Sequence, residues 1–168
     1  MKTKSKLAAV VSRIKSLPEW LHQPLLSFAI GNTVKFAGTA GISINSLSYD
    51  QCKITLKNRK KVQNHIGSVH AAATALLAES ASGFVVGMNL PKQSLPLLKT
   101  MHVNYVKRST GNLVATAILT EEQKQLLHTS PKGEVCIRVH VVDELGVEPV
   151  ECEMIWAWIE KKAKITKP

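Results

Sequence analysis

Apolar residues in the first part of the chain follow a helical spacing. Between about residues 17 and 34 they repeat at intervals of three and four: Leu21, Leu25, Phe28, Ala29. Pro18 stands near the start, where a helix tolerates proline. Glycines at 38 and 41 then interrupt the pattern. The spacing predicts an N-terminal helix that ends before this break.

Two short extended segments follow, at residues 42–47 and 51–57, and the second alternates polar and apolar positions. A turn at Tyr49-Asp50 separates them, so the pattern predicts a β-hairpin. From Ser68 to about Val86 the chain is rich in alanine and leucine and has no proline. Apolar residues on nearly every face predict a helix that is buried rather than on the surface.

Four more extended segments come after this helix, separated by turn-forming residues: 97–107, 113–119, 135–143 and 150–160. They could form an antiparallel meander. Alternation in the last segment places Trp156 and Trp158 on one face of the sheet. One wholly apolar helix beside a single sheet predicts an α+β fold in which the antiparallel sheet wraps around the helix.

Composition indicates one soluble domain, since 45% of the 168 residues are hydrophobic and 20% are charged. We expect a basic N-terminal segment at 1–16, a single domain at 17–162 and a tail at 163–168. No apolar run approaches the roughly 20 residues that span a bilayer. Three cysteines without a CxxC pair are typical of reduced thiols in a cytoplasmic protein.

The net charge of +10 could attract nucleic acid, anionic lipid or a phosphorylated ligand. The lysines are scattered, however, and aromatic residues are only 5% of the chain. Because readers of single-stranded nucleic acid combine basic and aromatic side chains, we do not expect a nucleic-acid partner. A basic protein that binds nucleic acid or a membrane surface is kept as a hypothesis that ranks third, after the two functions given below.

Glu79 is the only acidic residue between Asp50 and Glu121, and it falls inside the predicted buried helix. An apolar setting raises the pKa of a carboxyl, which makes the residue a functional candidate. Its neighbours on the same helix face are mostly small, which leaves room for a substrate: Ala72, Ala75, Leu76, Ser82, Gly83. Alternatively, Glu79 caps a neighbouring backbone group or pairs with a lysine.

The start of the same helix offers a second candidate. With Ser68 as N-cap, the backbone N–H groups of His70 and Ala71 would be free to stabilise an oxyanion, and Asn64 could orient water or a carbonyl. No metal-binding spacing is present. His70 and Glu79 are nine residues apart, about half a turn out of phase and roughly 13 Å along the axis. A shared site therefore requires two antiparallel helices in a two-fold dimer.

The segment Asn64-x-x-Gly67-x-x-His70-Ala71-Ala72, followed by Glu79, resembles the Asn-x-x-Gly-x-x-His-Gly-Gly…Asp/Glu segment of phenylacetyl-CoA-type hotdog thioesterases. It also resembles a branch of hotdog proteins with no assigned substrate. The resemblance implies a hotdog fold and hydrolysis of an acyl-CoA or acyl-carrier-protein thioester. It implies a site across the interface of a dimer, or of a dimer of dimers, and no cofactor apart from coenzyme A as part of the substrate.

By this resemblance Glu79 is the general base or nucleophile and the Ala71 N–H polarises the carbonyl, while Asn64 and His70 position water and the thioester. The expected substrate contacts are Gly67, Ser68, Ala72, Ala75, Ser82 and Gly83. The expected contacts to the phosphates of coenzyme A are Lys99, Lys107 and Arg108. Alanines replace both glycines of the His-Gly-Gly pattern, and their methyl groups narrow the approach. The alternative function is therefore a hotdog domain that binds an acyl thioester or fatty ligand without hydrolysing it.

Overall fold

One antiparallel sheet and one long helix define the architecture of the computed structural model, which describes residues 5–160. The six strands are β1 (Ile42–Leu47), β2 (Gln51–Leu56), β3 (Ser94–Tyr105), β4 (Leu113–Ile118), β5 (Gly133–Asp143) and β6 (Val150–Glu160). The helices are α1 (Lys6–Lys15), α2 (His22–Thr33), α3 (Lys35–Ala40), α4 (Ala71–Asn89) and α5 (Glu121–Thr129). Helix α4 contacts all six strands, which confirms the predicted sheet wrapped around a central helix.

The core lies between α4 and the concave face of the sheet. Leu77, Ala81 and Val85 of α4 are wholly buried there. Trp156 and Trp158 are both buried, which confirms that they share a face. The Trp156 indole N–H donates to Ser82 Oγ at 2.9 Å. By length and composition α4 could span a membrane, but it is the core helix of this domain and most of its span is buried within the protein.

The strand order is β1-β2-β4-β5-β6-β3, and all neighbouring strands are antiparallel. The β1–β2 hairpin is confirmed. The predicted four-strand meander is wrong for one strand, because β3 pairs with β6 at the edge instead of with β4. Only β4, β5 and β6 follow one another as a meander. This edge position leaves one side of the 12-residue strand β3 without a strand partner among residues 5–160.

Three α-helices were not predicted. Helix α1 packs in the core through Ala8, Val11 and Ile14, inside the segment 1–16 to which the sequence analysis assigned no element. Helix α3 includes Gly38, because the chain continues helically up to Gly41, which caps the helix at φ 77°. Helix α5 joins β4 to β5. The proposed tail at 163–168 lies outside the described residues, and the domain boundaries stay predictions.

The predicted N-terminal helix exists as α2, but its buried positions differ from those expected. Leu26 and Ile30 face the core, and Leu25 and Ala29 are half-buried beside them. Phe28 points away from the core and is 71% exposed. It lies two positions from both core residues, which is about 200° around a helix, so it stands on the opposite side.

Candidate active site

The loop before α4 is held in shape by Asn64. Its side-chain Oδ1 accepts hydrogen bonds from the backbone N–H groups of Ile66 at 3.0 Å and Ser68 at 3.1 Å. Gly67 completes the turn at φ 78°, a conformation that favours glycine. The Asn64 amide N–H₂ has no acceptor among the residues that the structure describes, so it is available to donate to a ligand.

The predicted N-cap of α4 is wrong: the cap is His70 and not Ser68. The Ser68 hydroxyl instead donates to the Ser109 carbonyl at 3.1 Å, which commits it to a partner distant in sequence. His70 Nδ1 accepts a hydrogen bond from the Ala72 N–H at 3.0 Å. A neutral ring that accepts at Nδ1 carries its proton on Nε2, so exposed His70 presents a donor outward.

The backbone N–H groups of His70 and Ala71 were both predicted to be free at the start of α4, and the structure differs for His70. The His70 N–H donates to the Val62 carbonyl at 2.8 Å, so it is not available to a substrate. The Ala71 N–H has no acceptor within the described part of the chain. Because the start of a helix favours negative charge, this N–H suits an oxyanion.

A cavity of about 230 Å³ opens at this helix start. Its lining includes Asn64, Ser68, Ala71, Tyr105, Lys107 and Arg108, which brings together much of the predicted site. Tyr105 Oη donates to the Ala71 carbonyl at 2.6 Å and joins the end of β3 to the start of α4. Burial raises the pKa of the Tyr105 phenol, so the phenol remains a neutral donor.

The two basic residues of this rim differ in their hydrogen bonds. Arg108 donates to Ser68 Oγ at 3.3 Å and to the Ile66 carbonyl at 3.2 Å, so it ties the segment after β3 to the Asn64 loop. Lys107 is exposed beside it. Lys99 does not line the cavity, and its ammonium pairs with Glu134 Oε1 at 2.5 Å. The structure therefore brings Lys107 and Arg108, but not Lys99, to the helix start.

Glu79 lies on α4 but does not line this cavity. Its carboxylate is half-buried, and its contact is a long hydrogen bond of 3.5 Å from Ser80 Oγ. Burial raises the pKa of the Glu79 carboxyl, and the Ser80 hydrogen bond lowers it by less. No cation forms an ion pair with Glu79 in residues 5–160. The alternative of a structural ion pair is therefore wrong for this protomer.

The predicted substrate contacts divide into two groups along α4. Ala72 is exposed and Ala75 is half-buried, so both are accessible from outside the protomer. Ser82 is wholly buried, and its hydroxyl donates to the Glu79 carbonyl at 2.9 Å. Gly83 packs under the Trp156 ring, where an added Cβ would lie 2.7 Å from Cζ2. The structure thus gives Ser82 and Gly83 a packing role. Gly67 lies in the exposed turn.

Tyr105 lines this cavity but was not among the residues predicted from the sequence. Alternation along β3 places Tyr105 on the same face as Met101 and Val103, but only the pairing of Tyr105 with buried Val150 shows that this face is the helix side of the sheet. Within residues 5–160 no group of three or more histidine, cysteine, aspartate or glutamate side chains could hold a metal ion.

The wrapped central helix and the open pocket at its start define the class: the chain has the hotdog fold. The fold is shared with PA5026 of Pseudomonas aeruginosa, described as a protein of unknown function and probable thioesterase (TM-score 0.74, 21% identity, 86% of this chain and 97% of that one). It is also shared with the thioesterase HI1161 of Haemophilus influenzae (TM-score 0.68, 14% identity, 85% and 94%). A mutant of the Staphylococcus aureus thioesterase SAV0944 gives a TM-score of 0.65 (17% identity, 74% and 98%).

The chain belongs to the family described as a domain of unknown function, DUF4442, whose model matches residues 22–159. No curated protein matches the chain. The identities to the solved structures are low, so those structures establish the fold and leave the chemistry to be argued from this chain's own residues.

Proposed function

We propose that the protein hydrolyses an acyl-CoA or acyl-carrier-protein thioester. The observation that carries this proposal is the start of α4, where the Ala71 N–H has no acceptor among residues 5–160 and opens on a cavity that Asn64 and Tyr105 also line. A thioester carbonyl placed there would receive a hydrogen bond as its oxygen becomes negative. The names of the structural neighbours support the same reaction class.

Glu79 supplies the base or the nucleophile in this proposal. As a base, its carboxylate takes a proton from water while the water oxygen attacks the thioester carbon. The tetrahedral intermediate then collapses, the C–S bond breaks, and the thiolate leaves with a proton returned from Glu79. As a nucleophile, Glu79 would attack the thioester carbon and expel the thiolate, which takes a proton from water, and water would then hydrolyse the resulting anhydride to release the acid and regenerate Glu79. Asn64 and the Nε2–H of His70 orient the water and the thioester.

The site is proposed to be shared between two protomers. Glu79 and the cavity at Ala71 lie on one helix about eight residues apart, which is roughly 12 Å along the axis. Two α4 helices packed antiparallel would bring Glu79 of each protomer to the cavity of the other. The edge of β3 without a strand partner among residues 5–160 supports such an assembly, because an uncovered strand edge can pair with another chain. A dimer or a dimer of dimers satisfies this requirement.

The substrate's phosphates are proposed to lie at the rim formed by Lys107 and Arg108. Lys107 is the freer of the two, since Arg108 already donates to Ser68 and Ile66. In this proposal the reaction uses no resident cofactor or metal, and coenzyme A enters as part of the substrate. A cytoplasmic location agrees with this substrate class and with free thiols at Cys52, Cys136 and Cys152.

One observation favours a second candidate function, binding of an acyl thioester or fatty ligand without hydrolysis. Ala71 and Ala72 are both exposed at the helix start, so their methyl groups stand where the resembling thioesterases have glycine. A ligand held further from the Ala71 N–H would receive less stabilisation of its oxyanion. Binding would then persist while turnover is lost.

Release of free thiol from a panel of acyl-CoAs and acyl-carrier proteins tests the proposal. The wild-type protein is compared with Glu79→Gln and Glu79→Ala, and with Glu121→Gln as a matched carboxylate control on α5. We expect turnover by the wild type and the control, and a loss of about 10²–10⁴-fold in the Glu79 variants. Absence of turnover on every substrate, or unchanged turnover in the Glu79 variants, would refute it. Ligand binding without turnover would instead support the second candidate.

A further inference from the structure

Three aromatic side chains are exposed to solvent in the N-terminal helical segment, two of them on α2 and α3 and one on the short 3-10 helix Glu19–Leu21. Trp20 is 77% exposed, Phe28 is 71% exposed and Phe36 is 67% exposed. Side chains of this size are normally buried, and in this structure Trp156, Trp158 and Phe84 are. We call the segment that carries the three exposed aromatics, residues 6–40, the helical layer. Its exposed aromatics indicate a surface that contacts something apolar.

The apolar character of this layer is not confined to aromatic rings. Leu17, Val10 and Val34 are each more than a third exposed. A cavity of about 430 Å³ lies between α1, α2 and α4, with a mainly aliphatic lining: Leu7, Val10, Ile30, Val34, Phe84. The layer therefore offers both protruding rings and an apolar recess.

The positive charge of the protein is concentrated in the first 61 residues, which include the helical layer. Residues 1–61 contain eleven lysines and arginines against two acidic residues, Glu19 and Asp50. The remaining residues contain eleven against ten. Nearly all of the net charge of +10 thus comes from the first 61 residues, and the carboxylates lie mainly on α5, β5 and β6.

The fold places a basic loop directly against the helical layer. The Lys61 ammonium donates to the Thr39 carbonyl at 2.5 Å, and Arg59 donates to the carbonyls of Ala40 and Gly41 at 3.3 and 3.2 Å. These contacts hold residues 59–61 at the C-terminal end of α3, the helix that also carries Lys35 and Phe36. Cationic side chains of this loop therefore lie against the helical layer, next to the short helix that carries Phe36.

We propose that the helical layer binds the surface of an anionic lipid bilayer. Lysines near such a surface are attracted to its headgroups, and exposed tryptophan, phenylalanine and leucine side chains insert at the boundary with the acyl chains. The layer supplies both. The protein would lie on the membrane with its acidic strands turned away from it.

Charge and side-chain chemistry favour lipid over the two other occupants. A second copy of the chain packed through the same face would place like charges against each other. Nucleic acid would use the lysines and the rings, but it has no use for the aliphatic side chains and the apolar recess. Nine of the eleven basic residues are lysines, whereas base recognition relies on the forked guanidinium of arginine.

Co-sedimentation with vesicles tests the proposal on the full chain. Phosphatidylcholine vesicles are compared with vesicles that also contain phosphatidylserine, at low and high salt. We expect binding to the anionic vesicles that weakens with salt, and little binding to phosphatidylcholine alone. Trp20 provides a second measurement, because Trp156 and Trp158 are buried. Its fluorescence should shift to the blue on binding, and Trp20→Phe should remove that shift.

Matched variants show whether vesicle binding depends on the helical layer or on other parts of the surface. Lys35→Gln combined with Lys60→Gln should weaken binding by about 25-fold, at about fivefold for each lysine. Phe28→Ser and Phe36→Ser should also weaken it. The controls are Lys132→Gln and Leu145→Ser, which change an exposed lysine and a 71% exposed leucine beyond the layer. Thermal melting checks that all variants fold.

Three results would overturn the proposal. One is absence of binding to anionic vesicles, and another is equal weakening by the control variants. The third is that the protein binds an oligonucleotide, or self-associates as measured by light scattering, through the helical layer while it does not bind vesicles. None of these measurements uses thiol release, so they test membrane binding independently of the hydrolase activity.

Discussion

Glu79 occupies a position where an ionised carboxylate is costly. It is half-buried on an apolar helix, without an ion pair within the described residues, and burial raises the pKa of its carboxyl. A carboxyl whose folded-state pKa is raised binds a proton more readily in the folded protein than in the unfolded chain. The residue therefore lowers stability at neutral pH, which is typical of a group retained for function.

This gives a prediction for stability against pH. Below the ordinary carboxyl pKa of about 4.3, both states of the protein hold the proton and Glu79 costs nothing. As pH rises through the raised folded-state pKa, the cost appears. Glu79→Gln should therefore melt at or above the wild-type temperature at neutral pH, and the difference should shrink towards pH 4. Thermal melting at several pH values measures this. A variant that is less stable at neutral pH would show that the carboxylate is structural.

The same shift predicts the pH dependence of hydrolysis. A general base or nucleophile must be ionised, so kcat/KM should rise with pH through a pKa above that of an ordinary glutamate. Thiol release across the acidic range measures the profile. A rate that is flat with pH, or that falls as pH rises, would exclude Glu79 from either role.

His70 combines two roles that substitution can separate. Its Nδ1 caps α4, which leaves the ring N–H on Nε2 of an exposed side chain. His70→Ala should lower stability by about 1 kcal/mol, the usual value of an N-cap, whereas His70→Asn keeps an acceptor and should lose little. If Nε2–H also orients substrate, both variants should lose activity. Thermal melting measures the capping role and thiol release measures the substrate role. Full activity of His70→Asn would show that His70 acts only as a helix cap.

At the scale of elements, two glycines of α4 differ in what lies beside them. A Cβ on Gly83 would stand 2.7 and 2.8 Å from ring atoms of Trp156, whereas at Gly87 the nearest atom is Leu7 Cδ2 at 3.4 Å. We expect Gly83→Ala to cost about 1–3 kcal/mol by overpacking. Gly87→Ala should be neutral, or stabilising by up to about 1 kcal/mol from helix propensity. Denaturant unfolding of the pair tests this, and equal effects would contradict the packing assigned to Trp156.

Helices and strands with a local sequence pattern could be predicted. Two of the helices that were not predicted, α5 and α1, also have such a pattern. Thr120 and Gln123 form a capping box at α5, and Ala8, Val11 and Ile14 repeat at helical spacing in α1. The first residue of α4 could not be predicted from the local sequence. Serine is a favoured N-cap, but Ser68 is held by Ser109 and Arg108, which lie 40 and more residues away. The edge position of β3 likewise depends on pairing with β6, far along the chain.

For the site, the sequence identified the helix start and the carboxylate but not their environment. The motif predicted Asn64 and Ala71 at one cavity, and the structure brings both there. It could not show that the His70 N–H is taken by Val62, that Ser82 holds Trp156, or that Tyr105 joins β3 to α4. Each of these depends on a tertiary contact between distant segments.

At the scale of the whole molecule, the proposed chemistry requires an assembly. Met101 and Tyr105 face the helix side of the sheet, because their β6 partners Met154 and Val150 are buried, yet both remain more than a third exposed. Together with the unpaired edge of β3, they form an apolar margin. Light scattering should therefore report a dimer or a dimer of dimers. Met101→Lys should shift it towards monomer and reduce thiol release, whereas Ile118→Lys, which changes another exposed side chain, should not.

Complementation between half-site variants tests the shared site most directly. Glu79→Gln and Asn64→Ala are each expected to be inactive alone, and each leaves intact the half-site that the other lacks. Unfolding and refolding a mixture should create mixed dimers with one complete site, restoring about a quarter of the wild-type thiol release. A mixture that remains as inactive as its components, although light scattering shows that dimers have re-formed, would contradict a site shared between two protomers.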